Sequence, residues 1–273
     1  MTTTLLKHEW LRTRGMLGSI LGIFALLILL GAMLAMTGWV MLATLGLVIA
    51  IVAVLLLVPA AQLALAVDYW RVSYGRIGYF TQTLPTPGGT IFRAKFVWAM
   101  VASLGGLVAT LILALFTWWA ASVQFGVPSP TSGVIGDTWA TVTDVAPGWA
   151  IAGGLLLLVA SYLIWPVYYY FSASVGSEQR FSGLGVGGPI VVFVLMYIAV
   201  QVLSFVGLLA VPIGLEIDES SMAFVQFNVL GEMAAGSGSS DVMPLGYLVP
   251  MALVAVYCLW RTAHSWNHKV ALT

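Results

Sequence analysis

"SYGRIGYFTQTLPTPGGTIFRAK", Ser73–Lys95, is a polar interruption in a chain that otherwise avoids charge. Of 273 residues, 61% are hydrophobic and 7% charged, against roughly 25% charged in an ordinary soluble domain. Placing Arg71, Arg76, Arg93 and Lys95 at a bilayer centre would cost about 2.5–3.5 kcal/mol each, whereas each Leu, Ile or Phe returns only about 0.3–0.6. The segment therefore stays in water. The runs flanking it, about 39–67 and 96–122, exceed the roughly 20 apolar residues needed to cross about 30 Å of hydrocarbon.

Outward from there, runs of the same kind lie at about 16–36, 148–171, 187–212 and 245–264. The pattern predicts an all-α integral membrane protein, one membrane domain over residues 1–273 with six transmembrane helices. The first apolar run, about 21 residues long, exceeds the roughly 7–15 of a secretory signal, and a second span follows at once, so it is expected to be an uncleaved span. The single cysteine, Cys258, offers no disulfide framework and no thiol cluster for a metal. Nothing points to nucleic acid.

All ten Lys and Arg residues fall on one set of connections. Lys7, Arg12 and Arg14 precede the first span; Arg71, Arg76, Arg93 and Lys95 surround the quoted segment; Arg180 follows the fourth span; Arg261 and Lys269 close the chain. The alternate loops hold Asp137, Asp144, Glu216, Asp218, Glu219, Glu232 and Asp241, and no cation. By the positive-inside rule both termini are cytoplasmic, in a cell membrane. Tryptophans such as Trp10, Trp39, Trp70, Trp119 and Trp149 sit near span ends, where an amphipathic ring suits the headgroup layer.

The expected spans carry no ionisable group apart from border residues such as Asp68 and Arg261. Ion-driven carriers keep acids or histidines in the membrane to move the coupled charge, so a gradient-driven mechanism is disfavoured. No G-x-x-x-x-G-K-[ST] loop occurs to hold ATP. "GLGVGG", Gly183–Gly188, matches G-x-G-x-x-G but leads into an apolar span rather than a βαβ unit, and reads as close helix packing or a span entrance. "HEWLR", from His8, has Arg12 where the zinc-protease motif needs its second His. His264 and His268 share a helical spacing with no third ligand nearby, so no metal site and no enzyme activity are expected.

Within the quoted segment, Ile77, Phe80 or Thr81, and Leu84 fall at helical spacing, a short apolar stripe that Pro85 and Pro87 halt. Such a helix either presses into a groove of a partner protein or lies flat on lipid. The order Tyr74, Gly75, Gly78, Leu84-Pro85, then Ile91 and Lys95 opening a span resembles the permease subunits of ABC-2-type (type V) ATP-driven exporters. Where many relatives place a Ser-Arg pair after the proline, this chain has Thr86, Pro87, Gly88 and Gly89.

The resemblance implies a cytoplasmic coupling helix between spans two and three, carried by Tyr74, Gly75, Arg76, Ile77, Gly78, Phe80, Thr81, Leu84 and Pro85. It would dock on a separate ABC ATPase (nucleotide-binding) subunit, which binds ATP and Mg; this chain has no cofactor of its own. An amino-terminal interfacial helix is implied over "TTLLKHEWLRTR", with Leu6 and Trp10 on one face and Arg12 on another. "MAFVQFNVL", Met222–Leu230, is read as a short interfacial or re-entrant element before the last span, or as a loop packed on neighbouring spans. Two permease chains, identical or related, would pair in the lipid bilayer and export a hydrophobic or amphipathic drug, lipid or peptide. Tyr162, Tyr168, Tyr169, Tyr170 and Gln201 are candidate wall residues of the path, weighed against plain packing between spans. The alternative is a membrane scaffold or sensor subunit that binds a cytoplasmic partner through the same loop and moves no cargo.

Overall fold

The computed structural model of the chain describes residues 2–75, 78, 86–130, 133–218, 221–235 and 242–268. Helices α1 (Thr2–Ala35) and α2 (Val40–Ser73) form an antiparallel hairpin. Its tight turn uses Gly38 at φ 77°, a left-handed conformation that a side chain would disfavour. Helix α3 (Gly88–Phe125) starts behind Pro87, held extended at φ −56° and ψ 133°, and ends on Gly126 at φ 65°. The amphipathic helix α4 (Val134–Val145) follows, with no buried side chain. Helices α5 (Gly148–Val175) and α6 (Gly187–Ala210) come next. Strands β1 (Gly214–Asp218) and β2 (Ser221–Val225), a short helix α7 (Val229–Ala235) and strand β3 (Val242–Pro244) separate α6 from α8 (Leu248–His268).

Five helices, α1, α2, α3, α5 and α6, are long and apolar enough to cross a membrane, so the chain is a multi-pass membrane protein. They cover the first five expected runs to within one or two end residues, and α5 and α6 begin at the expected residues 148 and 187. Helix α8 covers most of the sixth run but is less apolar, because Arg261, Thr262, His264 and Ser265 occupy its last turns.

Two elements differ from expectation. The amino-terminal stretch carrying Leu6, Trp10 and Arg12 is not a separate helix but the first third of α1, since no proline breaks the hydrogen-bond ladder between Thr2 and Ala35. The stretch Met222–Leu230 is neither a re-entrant helix nor a plain loop: its first half is strand β2. Strand β1 pairs antiparallel with β2 (Leu215 opposite Phe224) and with β3 (Leu215 opposite Met243), giving the order β2-β1-β3. The pairing satisfies backbone groups that a nine-residue apolar stretch, too short to span, would otherwise leave open. The alternation Leu215-Glu216-Ile217-Asp218 is the strand signal that hydropathy overlooks.

The single expected domain gathers into two compact units. The first holds α1, α2 as far as Val72, and α3. Its far end is a glycine contact: a Cβ on Gly46 would lie 2.6 Å from the Leu34 Cβ and 2.7 Å from the Ala35 nitrogen, and one on Gly31 would lie 2.9 Å from the Ala50 nitrogen. The second unit holds Ser73 and Tyr74 with α5, α6, the sheet and α8. Here Gly207 of α6 leaves room for Pro250 and Gly246, and Trp149 at the start of α5 stacks on Phe224 of β2 at 4.9 Å. In the "GLGVGG" stretch, Gly188 lies against the Gly176 carbonyl, a close-packed span entrance of the kind its glycines suggested.

Candidate functional site

Three helices of the second unit border an open-sided cavity of about 600 Å³. One face of α5 supplies Ser161, Trp165 and Tyr168, spaced by four and three residues; one face of α6 supplies Tyr197, Gln201 and Ser204 in the same rhythm. Tyr247 and Met251 close it from the start of α8. The remaining walls are aliphatic and aromatic, among them Ile164, Phe205 and Leu208. Gln201 Nε2 donates to the Tyr197 hydroxyl at 3.0 Å, and the Ser161 hydroxyl donates to the Leu158 carbonyl at 2.6 Å. Tyr168 is buried, and its hydroxyl has no hydrogen-bond partner among the described residues. A mostly apolar chamber with a few convergent polar groups is the ordinary chemistry of a site for an amphipathic molecule.

Of the expected wall residues, Tyr168 and Gln201 meet in this cavity. Tyr162, Tyr169 and Tyr170 do not line it. Tyr169 instead packs on Phe193 at 5.3 Å and Trp165 at 5.9 Å, and Tyr170 is buried in the core. Successive residues point about 100° apart on a helix, so three consecutive tyrosines cannot share one wall. Ser161, Tyr197, Ser204 and Tyr247 were missed; the signal was there as polar groups recurring at three- and four-residue spacing within apolar spans.

Nine of the 23 residues of the quoted polar segment lie outside the described residues, among them Arg76, Ile77, Phe80, Thr81, Leu84 and Pro85. Its root is clear. Tyr74 is 3% exposed, and its ring lies 5.8 Å from that of Trp266, near the end of α8. Gly78 is buried and its N–H donates to the Gly75 carbonyl at 2.7 Å, closing a turn. One turn before Trp266, Arg261 pairs with Glu178 at 2.7 Å, and the Ser265 hydroxyl donates to the same carboxylate at 2.9 Å. Glu178 thereby ties the connection after α5 to the end of α8.

The first unit has a charged cluster where the start of α1, the end of α2 and the start of α3 meet. Lys95 Nζ reaches Glu9 Oε1 at 2.8 Å, Arg12 Nη2 reaches Glu9 Oε2 at 2.6 Å, and the same nitrogen reaches Asp68 Oδ2 at 2.5 Å. Two cations and two carboxylates alternate, so each of these four charges faces one of opposite sign. Beside them, Trp98 Nε1 donates to the Thr13 hydroxyl at 2.8 Å, which donates to the Glu9 carbonyl at 2.8 Å. Arg12, expected on a polar face, is a structural tie; Trp10 is half-exposed, its ring edge-on to Trp98 at 5.3 Å. Leu6 is half-buried. Comparison with protein-family models, with curated proteins and with solved structures finds no match for this chain.

Proposed function

We propose that the chain is the membrane-spanning permease subunit of an ATP-dependent exporter for a hydrophobic or amphipathic cargo, powered by a separate ABC ATPase that binds ATP and Mg. The carrying observation is the packing of Tyr74 on Trp266. Helix α8 holds Trp266 near one end and the cavity residue Met251 near the other, about 22 Å apart at the helical rise of about 1.5 Å per residue. A push on the polar segment is thus delivered to a rigid rod that forms part of the chamber wall. The ionisable groups at the border of the first unit support the same reading: Glu9, Arg12, Asp68 and Lys95 are mutually paired as ties, unlike a proton or sodium relay. Six spans, both termini in the cytoplasm, a plasma-membrane location and a pair of permease chains complete the proposal.

The test is transport by vesicles containing the chain with its co-purified ATPase. ATP-dependent accumulation of an amphipathic dye is expected, and Leu84→Glu, in the apolar stripe of the polar segment, should weaken ATPase association at least about tenfold while the chain still inserts. Uphill movement by the chain alone on an ion gradient would overturn the proposal. Partner binding without any cargo movement would favour the scaffold instead.

A further inference from the structure

A second cavity, about 370 Å³, lies in the first unit between α1, α2 and α3. Small residues, Gly18 of α1, Ala61 of α2 and Gly105 of α3 among them, line it beside Leu17, Leu57 and Val101, and Trp10, Trp98 and Arg14 also belong to its lining. Trp10, Arg14, Gly18 and Leu21 follow one another by four, four and three residues, so one stripe of α1 runs from aromatic through cation to hydrocarbon. Arg14 is exposed, and among the described residues it has no ion-pair partner, although Arg12 and Lys95 nearby in sequence and space are both paired. A bilayer fills such a groove with hydrocarbon, and the guanidinium in its lining selects a phosphate.

We propose that this groove holds an acyl chain of an anionic phospholipid, its chain along Gly18, Ala61 and Gly105 and its phosphate on Arg14. The amphipathic gradient along α1 matches a lipid in both parts: an apolar slot of small residues for the tail, and a cation with two indole rings at headgroup depth. It concerns the first unit and does not depend on the exporter reading. A soluble anion would need no apolar slot, and a zwitterionic lipid carries a cation beside its phosphate, so it gains less from Arg14 than a lipid of net negative charge.

The groove also admits clean variants. A Cβ built on Gly18 or Gly105 meets nothing within 4 Å, so a side chain can leave either backbone position toward the slot without a clash at its first atom. The experiment is native mass spectrometry of the full chain released from nanodiscs containing equal phosphatidylglycerol and phosphatidylcholine. Wild type is expected to retain a phosphatidylglycerol molecule preferentially. Arg14→Gln should reduce that preference about fivefold, as expected for one cation near an anionic headgroup, while Arg71→Gln, an exposed cation outside the groove, leaves it unchanged. Gly105→Leu and Gly18→Leu should each lose the retained lipid while keeping wild-type monodispersity. Equal retention of the two headgroups by wild type, undiminished preference in Arg14→Gln, or retained lipid in both leucine variants would overturn the proposal; the two leucines enter from different helices, so misfolding of one leaves the other to decide.

Discussion

At the scale of single residues, Glu9 has the largest share of the work in the first unit, because one carboxylate compensates both Lys95 and Arg12. Lys95 is 3% exposed, and a buried charge that loses its partner costs far more than the pair is worth in isolation. Glu9→Gln is therefore expected to destabilise the detergent-solubilised protein by about 3–5 kcal/mol, read as a lowered midpoint of thermal unfolding. Adding Lys95→Met should recover much of that loss, because the uncompensated charge goes with it. Thr13→Val removes the acceptor of the Trp98 indole and should cost about 1–3 kcal/mol in the same assay. The sequence marked these residues as border charges, and no spacing rule pairs Glu9 with Lys95 across 86 positions. The pairing follows from packing of α1 on α3.

At the scale of elements, the glycines divide into those that let helices touch and those that face open space. Gly46→Ala drives a methyl into the backbone of the neighbouring helix and should destabilise by about 1–3 kcal/mol. Gly22→Ala, where a Cβ meets nothing within 4 Å, should be neutral or stabilising by up to about 1 kcal/mol. Chemical or thermal unfolding of the two variants side by side checks the contrast. Both residues are glycines in apolar helices, and only their neighbours in space tell them apart. The same holds for the polar faces of α5 and α6. Their periodicity was readable, but that they face each other across one chamber, with Tyr168 and Gln201 inside and Tyr169 outside, depends on the rotation of each helix in the packed unit. Strand β2 was misread for a related reason: hydropathy reports how apolar a short stretch is, whereas the partner strand β1 decides its backbone.

At the scale of the whole molecule, the expected sidedness is open to direct labelling. Cys258 is buried and should stay inert to a membrane-impermeant maleimide, which gives a silent background. A cysteine at the exposed position Lys7 should then react only from the cytoplasmic face, and one at Thr138, in the exposed helix α4, only from outside; labelling of both from one face would overturn the assignment. On the proposed exporter reading, Trp266→Ala should weaken cargo-stimulated ATP hydrolysis while leaving the proposed ATPase bound, since it removes the contact of Tyr74 with α8 and not the proposed docking stripe. Loss of binding in that variant would instead place Trp266 in the docking surface itself.

Composition and hydropathy were enough to establish a membrane protein and the approximate limits of its five long apolar helices, because partitioning into lipid sums over residues and needs no knowledge of their neighbours. The tertiary structure alone decided which charges neutralise each other, which tyrosines share a cavity, where an arginine with no ion-pair partner among the described residues stands beside an apolar slot, and that a short apolar stretch becomes a strand. Those outcomes depend on distances between residues far apart in the chain, which are set by close packing and by the need to pair polar groups in a medium without water.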